Sequence, residues 1–161
     1  MKKLLILISV IFTIAYANTT TFEWAISFVL KHEGGYCHDR GSESNFGLSS
    51  RWYPKEDIKN MTVERAKQIY KRDYWEAIGA DVMTDTCLAL VYLDCAVLFG
   101  QPTAQMMLKS SFTGLKYDKA ALRGQYVDKI VAQMKQHPED AKYLKAWVLR
   151  ISDLSVAANI Q

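Results

Sequence analysis

The segment Lys31-His32-Glu33-Gly34-Gly35-Tyr36 sets one carboxyl group immediately before two glycines. If the residues before it are helical, Glu33 stands in the last turn, where the helix dipole places partial negative charge. That position, together with burial, favours the protonated form a general acid requires. The two glycines let the backbone turn sharply and leave open space beside the carboxyl. Taken alone, a glutamate before a glycine cap fits a solvated helix end better than a working acid. Downstream, Asp39, Glu43, Ser44 and Asn45 add acceptors and donors on a segment that returns near Glu33 if it is a hairpin. An acid facing a polar hairpin across a groove suits glycosidic cleavage: one carboxylic acid protonates the leaving oxygen, and a carboxylate or a held water serves the other face of the sugar. For that second role Asp39, Glu43 and a water held by Ser44 or Asn45 all stand open.

Other residues carry weaker chemistry. Tyr36, Phe46, Tyr74 and Trp75 are candidates for stacking on sugar faces, although aromatic side chains in a helical domain more often build its core. Asp94 lies inside the apolar run Leu88 to Phe99, where an ionised carboxylate is costly unless paired. It is expected to be a structural polar residue accepting from backbone or hydroxyl donors, with direct substrate contact as the alternative. His32 is placed to tune Glu33 or to sit as a partly exposed helix residue; His38 and His137 have no partner spacing. Cys37, Cys87 and Cys95 show no metal-site spacing, and neither a metal nor an organic cofactor is expected. On one helix, Cys87 and Cys95 are about 12 Å apart, beyond the roughly 7 Å a disulfide spans. This leaves a bridge from Cys37 to one of them, or three small buried thiols.

The elements that must position these groups are mostly helical. Phe22, Ile26, Val29 and Leu30 repeat at helical spacing behind the capping hydroxyls of Thr19 to Thr21, and Gly34-Gly35 ends the helix. Residues 36 to 50 are short, polar and punctuated, and read as a small β-hairpin or irregular loop. Thr62 opens a helix with a Val63, Ala66, Ile69, Tyr70 stripe running toward Tyr74 and Trp75. Thr86 to Phe99 reads as a central buried helix ending at Gly100. A shorter helix starts at Pro102, and two more span Asp118 to Lys135 and Pro138 to Ala158, the last opened by proline and acids. The fold class is therefore mainly α, a single helical domain with a small hairpin or loop insert after the first helix.

The chain has 161 residues, half of them apolar, with 20 basic and 17 acidic side chains. These totals exclude a disordered tail or a collagen-like repeat, and a formal charge of +3 is too small for a nucleic-acid binder. The start of the chain distorts them. Lys2-Lys3, the apolar run Leu4 to Ile14 and Ala15-Tyr16-Ala17 have the layout of a secretory signal peptide over residues 1–17, too short to span a bilayer. Its removal leaves residues 18–161 as the mature domain, without Lys2 and Lys3 and with a formal charge of +1. The mature protein is expected to be exported to the periplasm or beyond, with no membrane segment, as a monomer.

Several motifs in order carry a family resemblance. Glu33-Gly34-Gly35-Tyr36, Asn45-Phe46-Gly47-Leu48-Ser49 and Arg51-Trp52-Tyr53-Pro54 are followed by Thr62-x-Glu64-x-Ala66-x-x-Ile69-Tyr70 and Asp73-Tyr74-Trp75. Leu93-Asp94-x-Ala96-Val97 with Gly100, and Tyr143-Leu144-Lys145-x-Trp147 with Arg150, complete the set. Across about residues 22 to 155 the chain resembles the N-acetylmuramidases of glycoside hydrolase family 108. The resemblance implies a lysozyme-like fold, with catalytic motifs in 22–111 and a C-terminal helical part in 112–161. It also implies hydrolysis of the β-1,4 bond between N-acetylmuramic acid and N-acetylglucosamine in peptidoglycan glycan strands, with Glu33 as the acid. The chain departs from the family in a shortened loop, Asp39 to Ser44, in Ser44 where threonine is common, and in Leu98 where asparagine is common. A lytic transglycosylase using the same Glu33 is the near alternative. A non-catalytic peptidoglycan-binding or scaffold protein is the distant one. A signal peptide on such an enzyme points to wall remodelling or to an envelope or secretion-machinery partner.

Overall fold

The computed structural model describes residues 20–39, 41–114 and 116–160; the expected signal peptide, 1–17, lies outside them. The chain divides into two compact units, one ending at Val82 and one beginning at Met83.

In the first unit, helix α1 covers residues 20–33 and buries Phe22, Ala25, Ile26 and Val29, one stripe of a 3.6-residue period. Gly34, at φ +73°, stops it directly after Glu33, as the glycine pair predicts. The chain then forms a three-stranded antiparallel sheet in the order β1 (Cys37–Asp39), β2 (Ser42–Asn45), β3 (Leu48–Ser49). Asp39 pairs with Ser42 and His38 with Glu43; across the second ladder Asn45 pairs with Leu48. Phe46 and Gly47 form the two-residue connection between β2 and β3, at φ +51° and +78°. Two positive φ values are what a type I′ hairpin turn needs, and they match the twist of the strands.

Helix α2 (Val63–Tyr70) starts on a Thr62 cap, whose hydroxyl accepts the Arg65 amide at 3.1 Å. Ala66, Ile69 and Tyr70 are buried, but Val63 is 39% exposed and stands outside the expected stripe. The helix widens into a π-helical segment, Lys71–Glu76, and a 3₁₀ turn follows at Ala80–Val82. Trp75, 1% exposed, packs edge-on against Phe22 with ring centroids 5.5 Å apart.

The second unit is helical: α3 (Thr86–Phe99), α4 (Gln101–Ser110), α5 (Lys119–Gln136), a 3₁₀ segment at Pro138–Tyr143, and α6 (Leu144–Ala157). Asp85 caps α3 and Asp118 caps α5. Every residue of α3 from Leu88 to Ala96 is buried, Asp94 included. The proline and acids at 138–140 start a helical turn as expected, but the turn is 3₁₀ and the α-helix begins only at Leu144. All three cysteines are free thiols, with only Cys95 fully buried, so neither the bridge from Cys37 nor a set of three buried thiols is present.

Candidate active site

Glu33 ends α1 half-buried, and its carboxyl group rests on the β2–β3 turn. A Cβ built on Gly47 would lie 2.5 Å from Glu33 Oε2, 2.9 Å from its carboxyl carbon and 2.6 Å from the Tyr70 hydroxyl. The missing side chain of Gly47 is thus the space in which Glu33 and Tyr70 meet. Tyr70 fixes that turn, since its hydroxyl donates to the Phe46 carbonyl at 2.8 Å. Phe46 is a bulky residue in the left-handed region, a conformation that costs free energy and needs holding by its surroundings.

Behind Tyr70 stands a second tyrosine. The Tyr70 and Tyr74 rings are 5.2 Å apart and tilted by 45°. Burial pushes the Tyr74 phenol up, and the charges of Asp73 and Glu33 add to the effect. Tyr53 is the neighbour of both Tyr74 and Asp73, and burial, followed by these two groups, pushes its phenol well up. Asp73 is itself held below the usual carboxylate range, chiefly by hydrogen bonds from the Arg72 guanidinium. Tyr70, Tyr74 and Tyr53 thus line the way from the neighbourhood of Glu33 to the Arg72–Asp73 ion pair on the π-helical segment.

The hairpin residues separate into different tasks. Glu43 accepts the Tyr36 hydroxyl at 2.7 Å, and that carboxylate raises the affinity of Tyr36 for its proton. Ser44 Oγ lies 3.0 Å from Cys37 Sγ. Asn45 is buried and spends its amide on the Ile58 carbonyl at 3.1 Å, which ties the hairpin to the following loop. Asp39 is the last residue of β1. Of the aromatic candidates, Tyr36 is 45% exposed and Phe46 is part of the turn; Tyr74 is half-buried beside Tyr70. Trp75 is sealed against Phe22, so it belongs to the core and presents no face to a sugar. His32 is half-buried, its ring 4.7 Å from that of Phe28.

A half-buried carboxyl at a helix end, beside a short polar sheet carrying a second carboxyl at Glu43, is chemistry that glycosidic cleavage can use. Residues 26–100, a stretch containing all of these groups, match the family model described as glycosyl hydrolase 108. The match spans 75 of the 161 residues and supports a glycoside hydrolase. Its family supports action on peptidoglycan. The fold agrees: the solved structure of SagA from Brucella abortus superposes with a TM-score of 0.66 at 24% identity, over 87% of this chain and 94% of that one. No curated protein matches the chain.

Four residues gathered near Glu33 have no role legible in the sequence. Tyr70 reads as part of an apolar stripe and Gly47 as loop punctuation, and Tyr53 and Asp73 stand in the family motifs without a role of their own. The signals were present: a tyrosine where leucine would fill the stripe, and a Phe-Gly pair between two short strands. Asp94 belongs to the second unit and is fully paired there. Arg150 Nη2 reaches its Oδ1 at 2.7 Å, and the Tyr126 hydroxyl donates to Oδ2 at 2.8 Å. The hydroxyl donor was foreseen and the guanidinium was not. Leu98 lines an open groove of the same unit with Thr103, Lys129, Gln133 and His137. Among the described residues no group of three His, Cys, Asp or Glu side chains is placed to hold a metal.

Proposed function

We propose that this glycoside hydrolase is an exported N-acetylmuramidase that cleaves the β-1,4 bond between N-acetylmuramic acid and N-acetylglucosamine, with Glu33 as the general acid. One observation carries the reading: the half-buried Glu33 carboxyl is packed on Gly47 at the edge of a polar hairpin. Glu33 gives its proton to the leaving oxygen, the bond from that oxygen to the muramic anomeric carbon breaks, and water adds to the oxocarbenium-like sugar. Asp39, Glu43 and a water held by Ser44 or by the side-chain oxygen of Asn45 stay the candidates for that step, the Asn45 Nδ2 donating to the Ile58 carbonyl. Tyr36, exposed and held by Glu43, offers a flat face for a sugar ring.

Digestion of purified sacculi with the mature protein tests this, the products being read by mass spectrometry. Reducing muramic ends are expected. Anhydro-muramic ends would replace hydrolysis by transglycosylation, and binding without release of products would make the protein a scaffold. Export rests on residues 1–17 and places the enzyme beside the wall it cuts; an envelope or secretion machine that needs a local opening is the partner this reading implies.

A further inference from the structure

Tyr70 is buried to 1% exposure, yet it is a tyrosine, and its hydroxyl oxygen lies beside the Glu33 carboxyl over Gly47. A phenol has one proton to donate and lone pairs with which to accept. The Phe46 carbonyl can only accept, so the 2.8 Å contact commits the phenol proton to it. Toward Glu33, the Tyr70 oxygen then offers lone pairs. Lone pairs meet a protonated carboxyl as a hydrogen-bond acceptor and meet a carboxylate as a repulsion between like partial charges.

We propose that Tyr70 is the positioning residue of the acid: by donating to Phe46 it turns an acceptor to Glu33, so that the carboxyl proton is held and aimed until a glycosidic oxygen takes it. The inference deepens the assignment of Glu33 as general acid and rests on it. The device also gives the strained turn a purpose. Phe46 at positive φ directs its carbonyl to Tyr70, and the bare Gly47 lets the carboxyl and the phenol come together. The proton moves from Glu33 to the leaving oxygen, and the one on Tyr70 stays in its bond to Phe46 throughout.

The other titratable groups on the surrounding elements are Glu23, Lys31 and His32 on α1; Tyr36, Cys37, His38, Asp39 and Glu43 of the sheet segment; Arg51, Tyr53, Lys55, Glu56, Asp57 and Lys59 in the following loop; Glu64, Arg65 and Lys67 on α2; and Lys71, Arg72, Asp73, Tyr74 and Glu76 on the π-helical segment. Tyr70→Phe leaves all of them in place and removes one oxygen. Activity on sacculi is measured as a function of pH for the full mature protein and for Tyr70→Phe, with thermal unfolding to establish that the variant is folded. The expected result is a fall in kcat of about tenfold with KM little changed, and an alkaline limb of the profile displaced about one pH unit toward acid, the size of one hydrogen bond. A folded variant with an unmoved limb, or one displaced toward alkali, overturns the inference. If Tyr70→Phe does not fold, 3-fluorotyrosine at position 70 keeps the shape while weakening the acceptor; the same acidward displacement is expected, and its absence is equally decisive. An inactive wild type would instead remove the assignment of Glu33, so the two failures are distinct.

Discussion

Gly47 decides whether Glu33 and Tyr70 can share one site. Any L side chain there starts with a Cβ 2.5 Å from the Glu33 carboxyl oxygen and 2.6 Å from the Tyr70 hydroxyl, and it must also adopt φ +78°. Both groups are held, so the smallest substitution forces them apart. Gly47→Ala is expected to cost about 1–3 kcal/mol of stability, from strain at positive φ and from overpacking. It is also expected to lower kcat at least tenfold, as a shift of about 1 Å at a reacting group does. Denaturant unfolding and initial rates on sacculi measure the two effects; full activity in the Gly47→Ala enzyme would mean that the carboxyl works elsewhere. At this scale the sequence exposed Glu33 clearly, because a carboxyl before two glycines is a local pattern. It did not expose Gly47 or the Tyr70 hydroxyl. Their roles depend on residues fourteen to thirty-seven positions from Glu33 meeting in space, which spacing along the chain does not reveal.

At the scale of elements, helix ends were the most legible feature, since caps and glycine stops act within one turn: α1 ends at Glu33 and α3 spans Thr86–Phe99, both as expected. The π-helical segment was not legible. In a regular α-helix a residue five positions on points about 140° away, whereas the wider turn brings Trp75 to the same buried side as Tyr70. The tertiary packing of Trp75 on Phe22 rewards that widening, and nothing local encodes it. The buried carboxylate on α3 had the opposite character: a cost visible in sequence whose remedy lay on distant helices. Arg150 on α6 and Tyr126 on α5 supply it, with Arg150 only 4% exposed. Asp94→Ala leaves that guanidinium buried without its counter-charge and is expected to destabilise the protein by about 3–5 kcal/mol. Replacing both partners, Asp94→Leu with Arg150→Met, is expected to restore most of the loss. Denaturant unfolding of the three proteins checks it, and a single variant costing under about 1 kcal/mol would show the pair to be idle.

At the scale of the whole molecule, the mainly α class and the small sheet after the first helix were legible from periodicity and punctuation, and the glycoside hydrolase assignment stands on the match over residues 26–100. Composition misleads until the first seventeen residues are set apart, because they carry part of the positive charge and of the apolar content and have the pattern of a removable address. Export is therefore a specific expectation: the protein recovered from the cell envelope should begin at Asn18, as read by N-terminal mass spectrometry, and full-length protein confined to the cytoplasm would contradict it. The near-neutral charge expected after cleavage leaves affinity for an anionic wall to local contacts beside Glu33, and the proposed activity stands or falls on that residue. The most direct measurement sets the mature protein beside its Glu33→Gln variant on purified sacculi, with products identified by mass spectrometry and folding checked by circular dichroism. Reducing muramic ends are predicted from the first and no products from a variant that is fully folded; release of the same muropeptides by folded Glu33→Gln would contradict a general-acid role for Glu33.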